Sequence, residues 1–271
     1  MSRIALAVEY DGSRYHGWQR QQDVDSVQAR LEAALSQVAN SPIDTVCAGR
    51  TDAGVHATYQ VVHFDSDANR PDQAWLFGGT HALPADISIV WAHTVCSDFH
   101  ARFSATARSY RYVILNRQTR SAVHQGRVTW WRDTLNAEAM HEAGQFLLGE
   151  HDFSSFRAKG CQAKSPIRTI ESCRVQRQGD FIYIDITANA FLHHMVRNIV
   201  GTLLPIGAGI RPVDSLFDIL GQQQRVLAGI TAPAAGLYLV NVRYPATFFI
   251  PEPRAIPAFY SPLGEIPLAC C

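Results

Sequence analysis

The sequence predicts a mixed α+β fold built as two similar halves, and three observations carry that expectation. Short segments in which apolar and polar residues alternate recur along the first 245 positions, the mark of half-buried strands. Segments with apolar residues at helical spacing interrupt them. The two kinds follow each other in the order β-α-β-β-α-β over residues 1–104 and again over 105–247, with no repetition of the sequence itself.

In the first half, Ile4, Leu6, Val8 and Tyr10 alternate with Ala5, Ala7 and Glu9, and Asp11-Gly12 stops the strand. A polar-aromatic loop follows, Arg14-Tyr15-His16-Gly17-Trp18-Gln19-Arg20. Asp25 or Ser26 then caps a helix that carries Val27, Leu31, Leu35 and Val38, with Gln28 closing a capping box on Asp25. Two strands flank a glycine-bounded loop at 48–57, the second running through Phe64. Pro71-Asp72 opens a helix to about position 83, and 87–95 is a strand.

The second half opens on a strand at 105–115, with Tyr110, Tyr112 and Ile114 on one face and Arg111, Val113 and Leu115 on the other. Asn136 caps a helix with Met140, Ala143, Phe146 and Leu147 as its apolar stripe, ended by Gly149. A basic loop at 157–166 leads to a hairpin, 169–177 and 181–187, across Gln178-Gly179-Asp180. A strongly apolar helix at 191–204, a shorter one at 214–220 and a strand at 237–244 complete the half. Residues 248–271 form a proline-rich tail of irregular structure. Units of this order are ferredoxin-like or RRM-like. Side by side they give one broad, largely antiparallel sheet with helices behind it and a cleft at the seam. Fold alone does not settle function.

With 271 residues, 47% hydrophobic and 18% charged, the chain reads as a soluble globular protein with a sizeable core. The apolar run at 4–8 is short and stopped by Glu9, so no signal peptide is expected. No uncharged apolar run reaches membrane-spanning length, and a cytoplasmic protein is expected. Cysteines 47, 96, 161, 173, 270 and 271 follow no zinc or CxxC spacing and read as reduced thiols; Cys270-Cys271 lacks the prenylation pattern. The net charge is zero, which argues against a strongly basic nucleic-acid binder, but its distribution is uneven. Residues 1–100 hold 6 Arg against 12 acidic residues, whereas residues 101–200 hold 12 Arg and 2 Lys against 8. The middle of the chain can therefore present a basic face, and its arginines suit phosphate contacts and stacking on bases.

The candidate chemistry centres on Ala48-Gly49-Arg50-Thr51-Asp52-Ala53-Gly54-Val55-His56-Ala57. It places one carboxylate, Asp52, between two glycines on a loop between strands, where catalytic groups tend to sit. An ordinary turn with Asp52 bonded to its own backbone fits the spacing equally well. A phosphate-binding P-loop does not, because Val55-His56 stand where Lys and Ser or Thr are required. The stretch from Phe99 to Tyr112 is basic with interleaved aromatics, a pattern suited to single-stranded nucleic acid. Tyr112 reads better as a core residue. Arg197 lies on the apolar helix among Met195, Val196, Ile199 and Val200, and a guanidinium buried there needs an anion, for which Asp52 is the candidate. His193-His194, as neighbours on a helix, would face different ways, so no metal site is expected. Arg157, Lys159, Lys164 and Arg168 gather in one loop as an RNA clamp or a solvated surface.

The decamer at 48–57, the stretches at 99–112, 150–157 and 188–201, and Ala235-Gly236-Leu237-Tyr238-Leu239 together resemble the tRNA pseudouridine synthase A family, over residues 3–245. The resemblance implies the pseudouridine synthase fold with a central catalytic cleft. It implies isomerisation of uridine to pseudouridine at positions 38, 39 and 40 of the tRNA anticodon stem-loop, without a cofactor. It makes Asp52 the nucleophile and pairs it with Arg197. It sets Tyr110 against the uracil as the base for the C5 proton, and Leu237 in the uracil pocket. Arg50 is placed to fill the gap left by the flipped base. A homodimer is implied, with one tRNA spanning both subunits. The chain departs from the pattern at 78–84, where Thr80 stands in place of the usual Asn. Two other readings compete: a non-catalytic RNA-binding module, and a carboxylate hydrolase, which would usually need a second carboxylate.

Overall fold

Strand β1 (Ser2–Tyr10) takes antiparallel partners on both sides, β3 (His56–Ser66) and β4 (Ile87–Val95). The alanines between its large apolar residues are as buried as those residues, so both of its faces are covered. In this computed structural model residues 1–253 are described; the end of the tail, with Cys270 and Cys271, lies outside the described residues. Helix α1 (Val27–Ala39) is capped by Ser26, whose Oγ accepts from the Ala29 N–H at 3.4 Å. Asp25 instead pairs with Arg30 at 2.7 Å, and Gln28 closes no capping box on it. The Gln28 amide donates to Glu32 Oε1 and the Thr45 carbonyl. Strand β2 (Val46–Cys47) is only two residues long and pairs with β3. The helix expected from Pro71 divides into a π turn (Ala74–Gly78) and the short α2 (Gly79–Ala82).

The second half contains β5 (Ala107–Asn116), β6 (Thr129–Trp131), α3 (Ala137–Gln145), β7 (Gly149–Asp152), β8 (Ile167–Gln178) and β9 (Phe181–Ala188). After them come α4 (Met195–Gly207), α5 (Ser215–Gln222) and β10 (Leu237–Arg243). Strands β6 and β7 were not expected; three and four residues long, they are too short to show a period. Asn136 caps α3 as expected, accepting from the N–H groups of Glu138 and Ala139. Gly149 does not end that helix; at φ +92° it opens β7. Helix α4 starts four residues later than its apolar pattern suggests. Asn189 Oδ1 accepts from the Thr169 and Ala190 N–H groups and holds the chain to the sheet, and His194 is left-handed, at φ 60° and ψ 7°.

The strands form one sheet, in the order β4-β1-β3-β10-β5-β9-β8-β7 with β2 and β6 added at the side. In each half the four long-expected strands lie in the same spatial order, fourth, first, third, second. The halves join where β10 runs parallel to β3, Tyr238 beside His56 and Leu239 beside Ala57. Apart from this pair and β5–β6 the pairing is antiparallel. The main core spans both halves. A smaller cluster, including Val113, Tyr183 and Tyr238, forms on the other side of β5. Arg111 is buried there, held by Asp185 through two bonds of 2.6 and 2.7 Å, and is not available to a nucleic acid. Among the described residues no helix is long and apolar enough to cross a membrane, and the four cysteines are free thiols.

Candidate active site

The loop carrying Asp52 is fixed from behind. The Trp18 N–H donates to the Thr51 carbonyl at 3.0 Å, and the Gly54 N–H to that of Tyr15 at 3.3 Å. Thr51 is buried, its hydroxyl 2.8 Å from that of Tyr10. The Gln60 side chain donates to the Gly49 carbonyl at 2.6 Å. Gly54 is left-handed at φ +77° and the turn requires it. Gly49 plays a different part from the one its spacing suggests: its backbone is not left-handed, and a Cβ there would touch the Tyr110 hydroxyl at 3.8 Å.

Arg197 reaches this loop from the first turn of α4. Its Nη1 donates to Asp52 Oδ2 at 3.1 Å and its Nε to the Ala232 carbonyl at 2.7 Å. The guanidinium is thus partly buried rather than enclosed, with 15% of the side chain exposed against 26% for Asp52. The carbonyl that seats it depends on Gly201, one turn further along α4. A Cβ there would lie 1.7 Å from the Ile230 carbonyl oxygen, so only glycine lets the 229–232 segment lie against the helix.

Two further groups converge on the same carboxylate. His193 Nε2 lies 3.4 Å from Oδ1 and His194 Nε2 3.3 Å from Oδ2. Reasoning from the sequence missed them because it placed both on a helix. They precede it, and the left-handed backbone at His194 turns the two adjacent side chains toward one point. The available signal was Asn189, a residue that readily bonds local backbone and delays a helix start. Burial holds the His194 imidazole below its ordinary pKa, although the Asp52 charge pulls the other way. The ligating atoms of Asp52, His193 and His194 all lie within 4.8 Å of one another, so these three residues could hold a metal ion. The Arg197 guanidinium on the same carboxylate opposes one.

Tyr110 lies on β5 where the pairing with β10 bulges, between Leu239 opposite Tyr110 and Asn241 opposite Ser109. Bulges re-aim side chains next to active sites. Its ring meets Phe191 edge-on, 5.0 Å between centroids, and its hydroxyl has no hydrogen bond among the described residues. Burial first, and the Asp52 charge second, push its pKa well above the ordinary 10.0. Tyr112 is a core residue, as expected, its hydroxyl held by Thr129 and the Pro233 carbonyl. Leu237 is buried opposite Tyr112 on β5. Arg50 is exposed on the Asp52 loop.

The basic loop is attached to the site by the Ala158 N–H, which donates to the His193 carbonyl at 3.0 Å. Its four cations are not equivalent. Arg157 is spent on the carbonyls of Cys161 and Ala163, both at 2.7 Å, and Arg168 on those of Ser165 and Ile167. Lys159 and Lys164 are exposed.

Residues 6–104 and 143–245 match a family model described as tRNA pseudouridine synthase. The chain belongs to that family. Asp52, Arg197, Leu237 and the basic loop fall inside the matched residues, and Tyr110 falls between the two segments. The chain is similar to family members named tRNA pseudouridine synthase A in several bacteria. Identity is 57% over 257 residues with that of Actinobacillus pleuropneumoniae serotype 7, covering 95% of this chain and 98% of the relative. It is 58% over 258 residues with that of Glaesserella parasuis and 58% over 257 with that of Pseudoalteromonas atlantica, at the same coverage.

Proposed function

We propose that this protein isomerises uridine to pseudouridine in the anticodon stem-loop of tRNA, at positions 38, 39 and 40, with Asp52 as nucleophile. The observation that carries the reading is the Asp52 carboxylate, partly exposed on a loop fixed by backbone hydrogen bonds and held by Arg197. A guanidinium at 3.1 Å offsets the negative charge that the carboxylate must keep in order to attack. A non-catalytic RNA-binding module would have no use for that pair.

The target base must leave the stack to be reached, and Arg50 occupies the space it vacates. Asp52 attacks, at ribose C1′ or uracil C6, and the bond from N1 to C1′ breaks. The uracil turns, C5 bonds to C1′, the bond to Asp52 breaks and returns its electron pair to the carboxylate, the C5 proton leaves and N1 takes a proton. Atoms and electrons balance within the nucleotide, so the step consumes no redox partner. Leu237 borders the uracil and Tyr110 stacks on it. A phenol held protonated takes the C5 proton only as its own moves on, so Tyr110 acts as a relay rather than a standing base. Lys159 and Lys164 meet phosphates, while Arg157 and Arg168 shape the loop that presents them. The halves 1–104 and 105–247 form the two walls of the cleft. The protein works in the cytoplasm as a homodimer, with one tRNA across both subunits.

The test is chemical mapping of pseudouridine in unmodified tRNA after incubation with the purified protein. Pseudouridine at the three anticodon-arm positions is expected. Pseudouridine confined to other positions would refute the substrate assignment, and none anywhere would refute the reaction.

A further inference from the structure

Phe103 is a large aromatic side chain that the core leaves out. It is 77% exposed, although Phe99 and Ala101 beside it are fully buried. A lone exposed phenylalanine needs no explanation, but this one is built into place. His100 stacks on its ring, 4.3 Å between centroids and 30° between planes. That imidazole is itself fixed: Nδ1 accepts from the backbone N–H groups of Arg102 and Phe103, both at 3.2 Å. The Ser104 hydroxyl closes the turn by accepting from the His100 N–H at 3.0 Å. Arg102 sets its guanidinium 5.6 Å from the Phe103 ring centre. Among the described residues neither Arg102 nor Arg50 has a carboxylate partner.

This turn is also registered against the reacting centre. One nitrogen of Arg108, Nη2, donates to the carbonyl of Arg102 at 2.6 Å and to that of Ala48 at 3.1 Å. The turn carrying Phe103 and the loop carrying Asp52 therefore share a single donor. Its other nitrogen, Nη1, holds the carbonyls of Ala105 and Asn189 at 3.1 and 3.0 Å, tying in the segment that leads to His193 and His194.

We propose that Phe103 is a stacking platform for an unpaired nucleobase next to the reacting uridine, with Arg102 on the adjoining phosphate. The inference rests on the RNA-isomerase reading and deepens it. Every base has a π-face, so an aromatic platform beside cations holds a neighbouring nucleotide without selecting its sequence. A platform at fixed offset from Asp52 steadies the strand while the uridine itself is turned out.

The test uses the full-length Asp52→Asn protein and a stem-loop RNA with 2-aminopurine at one or other position flanking the target. Binding should quench the fluorescence at one flanking position. Phe103→Ala should relieve the quench and weaken binding about tenfold, while Phe103→Trp keeps both. Pseudouridine formation by the wild-type protein on the unlabelled RNA checks the functional reading separately. If the wild type converts this RNA and Phe103→Ala retains quench and affinity, the platform is overturned. It is also overturned if Phe103→Ala leaves the quench intact and light scattering shows instead the loss of a dimer, because the ring then belongs to an interface between copies.

Discussion

Asp52 receives contacts from three side chains contributed by one segment, and they differ in what they can do. Arg197 is the permanent cation among them. Replacing it with methionine keeps much of the stem's bulk and leaves a partly buried carboxylate facing only imidazoles. Arg197→Met should lower kcat by roughly a hundredfold, the scale of losing one charge-stabilising donor at a reacting centre. Steady-state turnover on tRNA checks this, and near-normal kcat would remove Arg197 from the machinery. Tyr110 presents a different separation. Tyr110→Phe keeps the ring and its edge-on contact with Phe191, so tRNA affinity should stay within about tenfold of the wild type, since the stacking contribution survives. Turnover should fall because the hydroxyl is gone. Burial and the Asp52 charge raise the phenol's pKa, so it stays protonated as pH rises through its ordinary 10.0. The wild-type pH–rate profile should therefore show no limb below pH 10.0 that Tyr110→Phe removes. The pairing of Arg197 with Asp52 was legible because a guanidinium on an apolar helix demands an anion, whereas Asp52 itself stood out through the resemblance of its loop, since an ordinary turn fits the spacing equally well. His193 and His194 were not, because their convergence depends on one backbone torsion that no side-chain pattern reports.

The elements were legible where they are long. Alternation located β1 and β5, runs of β-forming residues bounded by turn residues located β3, β4, β8, β9 and β10, and capping residues located α1 and α3. Pattern reading failed for β6 and β7, which are held by neighbours rather than by their own period, and for the start of α4. There the apolar run continues into Phe191 and Leu192, which pack without being helical. Gly201 shows how packing of an element reaches the chemistry. A methyl at this position meets the Ile230 carbonyl oxygen, and the 229–232 segment must retreat, taking the Ala232 carbonyl from Arg197. Gly201→Ala should destabilise the protein by about 1–3 kcal/mol, the cost of overpacking, as read by thermal melting. It should also lower kcat at temperatures where the variant is fully folded. A variant with reduced stability and unchanged kcat would show that the seat of Arg197 is not set by this contact.

At the scale of the whole molecule, one sheet carries a neutral chain with its positive charge concentrated in the middle of the sequence. That distribution was legible, but how many of those cations are free was not. Arg111, Arg157 and Arg168 are engaged within the protein, whereas Lys159 and Lys164 are exposed. Lys159→Gln together with Lys164→Gln should therefore flatten the log–log dependence of tRNA affinity on salt by about 1.5, given somewhat under one counterion released per phosphate contact. An unchanged slope would take this loop out of the interface. Beneath these effects lies the Asp52 carboxylate held by Arg197. Tritium release from C5-labelled uridine in tRNA follows the isomerisation itself, because that hydrogen leaves only when C5 has become bonded to the ribose. The wild-type protein should release tritium, and Asp52→Asn, folded and still binding tRNA within about tenfold, should release none. Release by a contamination-free Asp52→Asn protein at the wild-type rate would contradict Asp52 as the nucleophile.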